Sequence, residues 1–402
     1  MSEDSDIPLS VQLDTILKKI QLIDFAIHAG GIRPGFEPIV VSIPEDGSKL
    51  QRGGMNVHIP LEFGDGVKWL ARIRQQATPT TQFIMDSEVE TMRVLKAAGL
   101  QVPNAFMPKS DSRINGGTLD FFFVEHLPGI ACMAPIANGT LTPRQQQDLI
   151  TSLAHFYISL SRIPYHQCGS LVRDVATGKL EIGPLISPDF CQTTPPFFFG
   201  PFESSAHRYL AQVEYVIQEI EQGRAFAEDT TFSVYVTHLW LKDLIQNAPR
   251  LWKKEETFIK HADDKGDQIM VDENGTLVGV IDWEWAYIAS KSEAFAAPLA
   301  LVDINTFYSG SDDLSINERH LMNAYHELGF PDLAACVRNG KVYQRLPMVI
   351  GQEPDLVQLF ALELALTGET GKAKTIEEWV EDMVSGQYCN QVEAMKKLVD
   401  KN

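Results

Sequence analysis

Apolar residues recur at helical spacing between Leu9 and Ala29 (Leu13, Ile16, Leu17, Ile20, Ile23), which predicts one helix, ended by Gly30-Gly31. Short β-branched runs follow at Ile39–Ile43, Met55–Phe63 and Val67–Ile73, the last two flanking the tight-turn sequence Gly64-Asp65-Gly66. Ser87 to Ala98 returns to the helical period, with Ser87 as cap and Gly99 as stop. Another apolar run, Leu119–Val124, follows the turn Asn115-Gly116-Gly117 and leads into Glu125-His126-Leu127-Pro128-Gly129. Strand-rich sequence with one embedded helix thus fills the first third.

After Pro128 the pattern changes. Pro143–Ser161 and Ser205–Gln222 read as long helices, separated by a hairpin at Gly169–Ile182 and an aromatic loop at Pro195–Phe202. A helix near Val236–Asn247 precedes a strand at Phe258–His261, and Gln268–Val271, Asp272–Gly275 and Leu277–Ile281 read as strand, turn and strand. From Ser290 onward the period is mainly helical, clearest at Leu356–Leu366 and Val392–Leu398. The expectation is an α+β chain in two lobes: a small mixed N-terminal lobe, residues 1–127, and a larger helical lobe, residues 128–402.

Composition narrows the function. A chain of 402 residues with 44% hydrophobic and 22% charged residues can bury a substantial core. No stretch approaches the roughly 18 uninterrupted apolar residues of a membrane helix, and the acidic start MSEDSDIPLS lacks a secretory layout. Cys132, Cys168, Cys191, Cys336 and Cys389 are odd in number and scattered, which predicts free thiols in a reducing, cytoplasmic setting. The net charge of −19 disfavours nucleic acid as a ligand and would draw a cation. There is no GxxxxGK[ST] loop, HExxH helix or GxSxG elbow.

The informative stretch runs from Phe258 to Glu284. His261-Ala262-Asp263-Asp264-Lys265-Gly266-Asp267-Gln268 forms a carboxylate-bearing loop before the hairpin, and Ile281-Asp282-Trp283-Glu284 emerges at its far end. Phosphoryl transfer needs such a pair: one acid orients the attacking hydroxyl and accepts its proton, the other holds Mg²⁺ against nucleotide phosphates. By residue types alone, an ordinary solvated acidic loop fits equally well.

These motifs resemble the aminoglycoside phosphotransferases and choline-type kinases, which share the protein-kinase-like bilobal fold. The family pattern His-Gly-Asp-x-x-x-x-Asn, then strand, turn and Ile-Asp-Trp-Glu, lies over His261–Glu284, and the HADDKGD form is similar to a fungal branch. The resemblance extends over residues 53–284 and implies roles for each matching position. Gly53, Gly54 and Asn56 would cover ATP, Arg72 would touch its phosphates, and Glu88 would pair with Arg72. Glu125 and Leu127 would receive adenine. Asp263, with His261, would be catalytic, and Asp282 would hold Mg²⁺. Gln268 stands where the family carries Asn, so Asp267 is a second candidate for the metal. A small-molecule acceptor would lie near Asp264, Glu284, Trp285 and Tyr287, whose acids and rings would suit a cation. The resemblance thus implies transfer of the γ-phosphate of ATP to an acceptor hydroxyl. The rival is a pseudokinase whose altered metal position leaves a silent nucleotide-binding or scaffolding cleft.

Overall fold

The turn at Gly64-Asp65-Gly66 closes the hairpin around which the N-terminal lobe is built. The computed structural model describes residues 8–108, 119–133, 140–174, 176–224, 226, 230–369, 374–386 and 388–393. The expected turn at Asn115-Gly116-Gly117, the first seven residues and most of the helix expected at Val392–Leu398 lie outside the described residues. The chain opens with two helices, α1 (Leu9–Ile20) and α2 (Phe25–Ile32), where one was expected. Asp24 divides them, because its carboxylate accepts from Ile27 N and caps the second helix. Strands β1 (Pro38–Val41), β2 (Gln51–Arg52), β3 (Asn56–Phe63) and β4 (Lys68–Arg74) then lead to α3 (Thr81–Ala97), β5 (Ala105–Phe106) and β6 (Phe121–Glu125). All pair antiparallel in the order β1-β3-β4-β6-β5, with β2 also on β3. Helix α3 begins six residues before the expected Ser87, because Thr81, Ile84 and Met85 extend its buried face.

The chain leaves this sheet at Glu125 and crosses at Gly129. There φ is 110°, and a Cβ would stand 2.4 Å from the Val271 carbonyl oxygen, so only glycine fits. Strand β7 (Ile130–Ala131) then pairs with β11 (Ile269–Val271), the first arm of the hairpin completed by β12 (Leu277–Val280). Between them run α4 (Pro143–Leu160), the hairpin β8 (Ser170–Arg173) and β9 (Leu180–Gly183), α5 (Ser205–Glu221), α6 (Thr231–Gln246) and β10 (Thr257–Lys260). Strand β10 pairs with β13 (Tyr287–Ser290), a strand the hydropathy pattern did not announce. The remaining helices are α7 (Lys291–Ala294), α8 (Ile304–Tyr308), α9 (Ile316–Glu327), α10 (Pro331–Arg338), α11 (Lys341–Val349), α12 (Leu356–Thr367) and α13 (Ile376–Ser385). This is the expected α+β architecture.

Three large apolar clusters and a small one around Ile84, Ile186 and Phe198 hold the described residues together. One joins α1 and α2 to the outer face of the sheet, and one packs α5 and α6 against α11–α13. The largest is continuous from Val89 and Met92 on α3, through Leu153 on α4, to Trp283. Helix α3 therefore shares its core with the second lobe. All five cysteines are free thiols, as the sequence implied. No described helix is long and apolar enough to cross a membrane.

His238 ties the distal helices together. Its Nδ1–H donates to Val234 O at 2.7 Å, and its Nε2 accepts from Gly351 N at 2.9 Å. Burial pushes its pKa down from 6.5 to about 4. The unfolded chain then binds the proton more readily than the folded one, so this contribution is complete above pH 6.5 and is lost as pH falls through 4. The full shift corresponds to roughly 3 kcal/mol. His238→Phe should melt lower than wild type at pH 7.5 but lose less on acidification to pH 4.5. Thermal melts across that range check this; parallel pH profiles would remove His238 from the account.

Candidate active site

The cleft between the lobes is organised by a buried guanidinium. Arg72 on β4 reaches Asp282 Oδ1 at 2.6 Å and Glu284 Oε2 at 2.7 Å from Nη2, and its Nε lies 3.3 Å from Glu88 Oε1 on α3. The Arg72–Glu88 pair expected from sequence is thus formed. Arg74, two positions along the same strand face, pairs with Glu284 Oε1, and Asn56 Nδ2 donates to Glu284 Oε2 at 2.7 Å. Burial opposes the Arg72 charge, but Glu88, Asp282 and Glu284 outweigh it and raise its pKa. Burial also pushes the Glu88 carboxyl up to about 8, against the pull of Arg72. Glu284 faces the N-terminal lobe as the acid joining Arg72 and Arg74, and Asn56 is its third partner.

The loop His261–Gln268 is fixed from beneath. His261 Nε2 donates to Ile281 O at 2.9 Å and its Nδ1 accepts from Asp263 N at 3.2 Å, so both ring nitrogens are committed. Burial lowers the His261 pKa and keeps the ring neutral. His261 therefore positions Asp263 and is not itself free to move a proton. Asp263 stands outward with its side chain 48% exposed. Lys265 Nζ lies 2.5 Å from Asp263 Oδ2 and 3.2 Å from Asp267 Oδ2, so the two carboxylates border the same space. Gly266 turns the loop with φ 112°, and Gln268 folds back to accept from Gly266 N at 3.0 Å. Gln268 is 3% exposed, so its carbonyl braces the loop. Asp267, by contrast, keeps 48% of its side chain exposed.

Asp282 owes its display to its neighbours. Ile281 N donates to Gln268 O at 2.9 Å, and Trp283 is buried with its Nε1–H on Val280 O at 3.0 Å. Pinned on both sides, Asp282 adopts φ 61°, and Trp285 adopts φ 66°. Such left-handed conformations in non-glycine residues cost about 1–3 kcal/mol and concentrate at functional sites. Burial works against the Asp282 charge, but Arg72 outweighs it and holds the carboxyl below its usual range. Asp282 and Asp267 are hard oxygen donors that suit Mg²⁺. No group of three His, Cys, Asp or Glu among the described residues is gathered to hold a metal.

The other expected residues divide. Gly53 and Gly54 form the turn between β2 and β3, braced by Gln75 Nε2 on Gly53 O at 2.9 Å. Neither glycine has a positive φ and neither has a neighbour within 4 Å of an added Cβ, so the turn leaves open space above the cleft. The Glu125 carboxylate accepts from Asn104 N at 3.0 Å and Asn104 Nδ2 at 2.8 Å, closing the sheet edge. Leu127 packs where a Cβ on Gly279 would meet its Cδ1 at 2.7 Å, at the crossing between lobes. Asp264 is buried, with Oδ2 3.1 Å from Lys260 Nζ and Oδ1 accepting from Leu299 N at 3.1 Å.

Trp285 and Tyr287 do line a cavity of about 600 Å³ that extends from Asp263 to the ends of α5 and α11. Sequence reasoning missed its far wall, made by Phe190, Tyr215 and Ile350, because these residues lie in separate segments with no shared motif. It also missed His58, directly across β3–β4 from Arg72. Burial, with the charge of Arg72, pushes His58 down to about 4. Alternation along β3 from Asn56 was the available signal.

The chain is similar to several solved structures. Among solved structures, a Plasmodium vivax ethanolamine kinase is 12% identical with a TM-score of 0.48, the match covering 97% of each chain. A putative fructosamine-3-kinase from Thermobifida fusca is 13% identical with a TM-score of 0.48, over 90% of this chain and 97% of that one. An APH(2")-IIa complex with gentamicin is 14% identical with a TM-score of 0.47, over 85% and 89%. No curated protein matches. The model of the phosphotransferase enzyme family matches residues 62–290, more than half of the chain, from the end of β3 through β13, and the protein belongs to that family.

Proposed function

We propose that this protein transfers the γ-phosphate of ATP to a hydroxyl of a small molecule. The observation that carries the reading is the meeting of Arg72, Glu88 and Asp282 across the cleft, beside an outward Asp263 at the mouth of a cavity. Asp263 takes the proton of the acceptor hydroxyl as the new O–P bond forms and the bond to ADP breaks. Lys265, with its pKa raised chiefly by its bond to Asp263, holds positive charge beside the transferring phosphoryl group. Arg72, anchored by Glu88, turns from Asp282 to the nucleotide phosphates, which frees Asp282. Asp282 and Asp267 would hold Mg²⁺, which when bound neutralises charge developing on the phosphate oxygens. The open turn at Gly53-Gly54 gives the phosphates room to approach backbone. Five free thiols support a reducing, cytoplasmic setting.

A silent, nucleotide-binding cleft is the second reading, favoured by one observation: Gln268 is turned inward onto Gly266. The two readings differ at Asp267. If Asp267 has taken over the metal role, Asp267→Asn should raise the Mg²⁺ requirement of ATP turnover about tenfold or more, while Gln268→Ala acts mainly on loop stability. The reverse order would make Gln268 the ligand. Wild type that binds ATP equally with and without divalent metal would support the silent cleft.

Two further outcomes are expected. Mg·ATP at 100 times its Kd should stabilise the fold by about 2.7 kcal/mol, read as a thermal shift that Asp282→Asn makes independent of Mg²⁺. Absence of any shift at millimolar nucleotide would remove ATP from the reading. Asp263→Asn keeps the side chain's shape but removes the proton acceptor, so turnover should fall by about 10²–10⁴-fold with ATP affinity little changed. An acceptor phosphorylated at the wild-type rate by this variant would show that Asp263 is not the base.

A further inference from the structure

We propose that the acceptor is a neutral alcohol with a bulky, ring-bearing apolar body, and neither a small cation nor a polycation. The inference rests on the reading of Asp263 as the base, because that places the acceptor in the cavity opening from it.

The residues that would have made a cation site are already satisfied by the protein. Asp264 is bonded to Lys260 and Leu299 N, and Glu284 to Arg72, Arg74 and Asn56. The Trp285 ring has the Arg74 guanidinium 5.8 Å from its centroid, and the Tyr287 ring has that of Arg208 at 5.1 Å. Both rings expected to receive a cationic acceptor thus already hold a resident cation, which would repel a second one.

Charge elsewhere on the walls is matched in the same way. Arg208 Nη2 meets Glu293 Oε1 at 2.6 Å, and Glu293 also accepts from Tyr287 Oη at 2.8 Å and Ser205 Oγ at 2.9 Å. Glu219 pairs with Arg224, and Asp263 with Lys265. Asp189, exposed at the rim, is the one lining carboxylate without such a partner among the described residues. A polycation entering the cavity would leave water and find no row of free carboxylates.

Apart from the polar Ser187, Gln212 and Gln352, the remaining wall is mainly aromatic and aliphatic. Phe190 stacks on Phe199 at 4.3 Å and meets Tyr215 edge-on at 5.4 Å, while Tyr215 Oη donates to Cys191 O at 2.8 Å. Leu185 N donates to Phe199 O at 2.7 Å, which ties the loop behind this wall to its partner segment. Phe190, Tyr215, Val216 and Ile350 thus present fixed apolar faces around about 600 Å³. Such a volume suits a ligand of several fused or linked rings, whereas a two-carbon amino alcohol would leave most of it unfilled.

The test is calorimetric titration of the full-length protein with 2-(2-naphthyl)ethanol, choline and kanamycin, with Mg·ATP-dependent turnover measured for each. 2-(2-Naphthyl)ethanol should bind at least about tenfold more tightly than either cation, and Ile350→Asp should weaken it by about tenfold or more. Tighter binding of choline or kanamycin overturns the inference, and so does failure of the naphthyl alcohol to bind at millimolar concentration. The wild-type comparison stands even if Ile350→Asp does not fold. Failure of the kinase reading is visible separately. If Mg·ATP gives no thermal shift while the naphthyl alcohol binds, the cavity keeps its preference and the phosphoryl transfer is withdrawn. If Mg·ATP binds and only the cations are phosphorylated, the preference fails and the kinase reading remains.

Discussion

A buried arginine spanning two lobes sets the terms for everything around it. Taking a guanidinium out of water costs several kcal/mol unless opposite charges and hydrogen bonds replace the solvent. Arg72 obtains them from α3 through Glu88 and from the hairpin exit through Asp282 and Glu284. Arg74 and Asn56 converge on Glu284 from the same sheet. The lobes therefore cannot rotate freely without stranding charge in a low-dielectric cleft. The cluster also holds an excess of acid: Glu88, Asp282 and Glu284 face two arginines, and burial resolves part of that excess by raising Glu88.

The second constraint is the way the acidic loop is displayed. Asp263 and Asp282 are both about half exposed, although the residues on which they stand are buried. His261 joins the two segments by taking a hydrogen bond from one and giving one to the other. Trp283 lies 4.7 Å from the His261 ring and stacks on Phe156 of α4, so helix packing fixes the spacing of the carboxylates. With these left-handed φ values, Asp282 meets Arg72 and Trp285 lines the cavity. Backbone strain is tolerated there because the surrounding bonds over-determine it.

The cavity beside Asp263 follows a different rule from the cleft. In the cleft, charges are clustered and incompletely balanced, while along the cavity each deep charge has its counter-ion built in. Arg208 and Glu293, both buried, complete one another and lend Tyr287 a fixed hydroxyl orientation. Selectivity in such a cavity comes from shape and apolar area, with polar groups orienting the ligand.

Much of this was legible in sequence. Hydropathy period located most strands and long helices to within a few residues, because an amphipathic element carries its buried face in its own order of residues. The spacing from His261 to Glu284 located both central carboxylates, because loop, hairpin and exit lie close along the chain and their geometry is local. The glycine at 129 and the pairing of Arg72 with Glu88 were also readable from motif positions. What each acid does was decided only by the fold. Asp264 and Glu284 look like neighbours of Asp263 and Asp282 in sequence, but one turns toward Lys260 and Leu299 and the other toward Arg72 and Arg74. Glu125 and Gln268 were similarly claimed by Asn104 and Gly266. The cavity wall was invisible for the same reason. Phe190, Tyr215 and Ile350 meet only after α5 and α11 pack, and sequence order carries no record of contacts between residues so far apart in the chain.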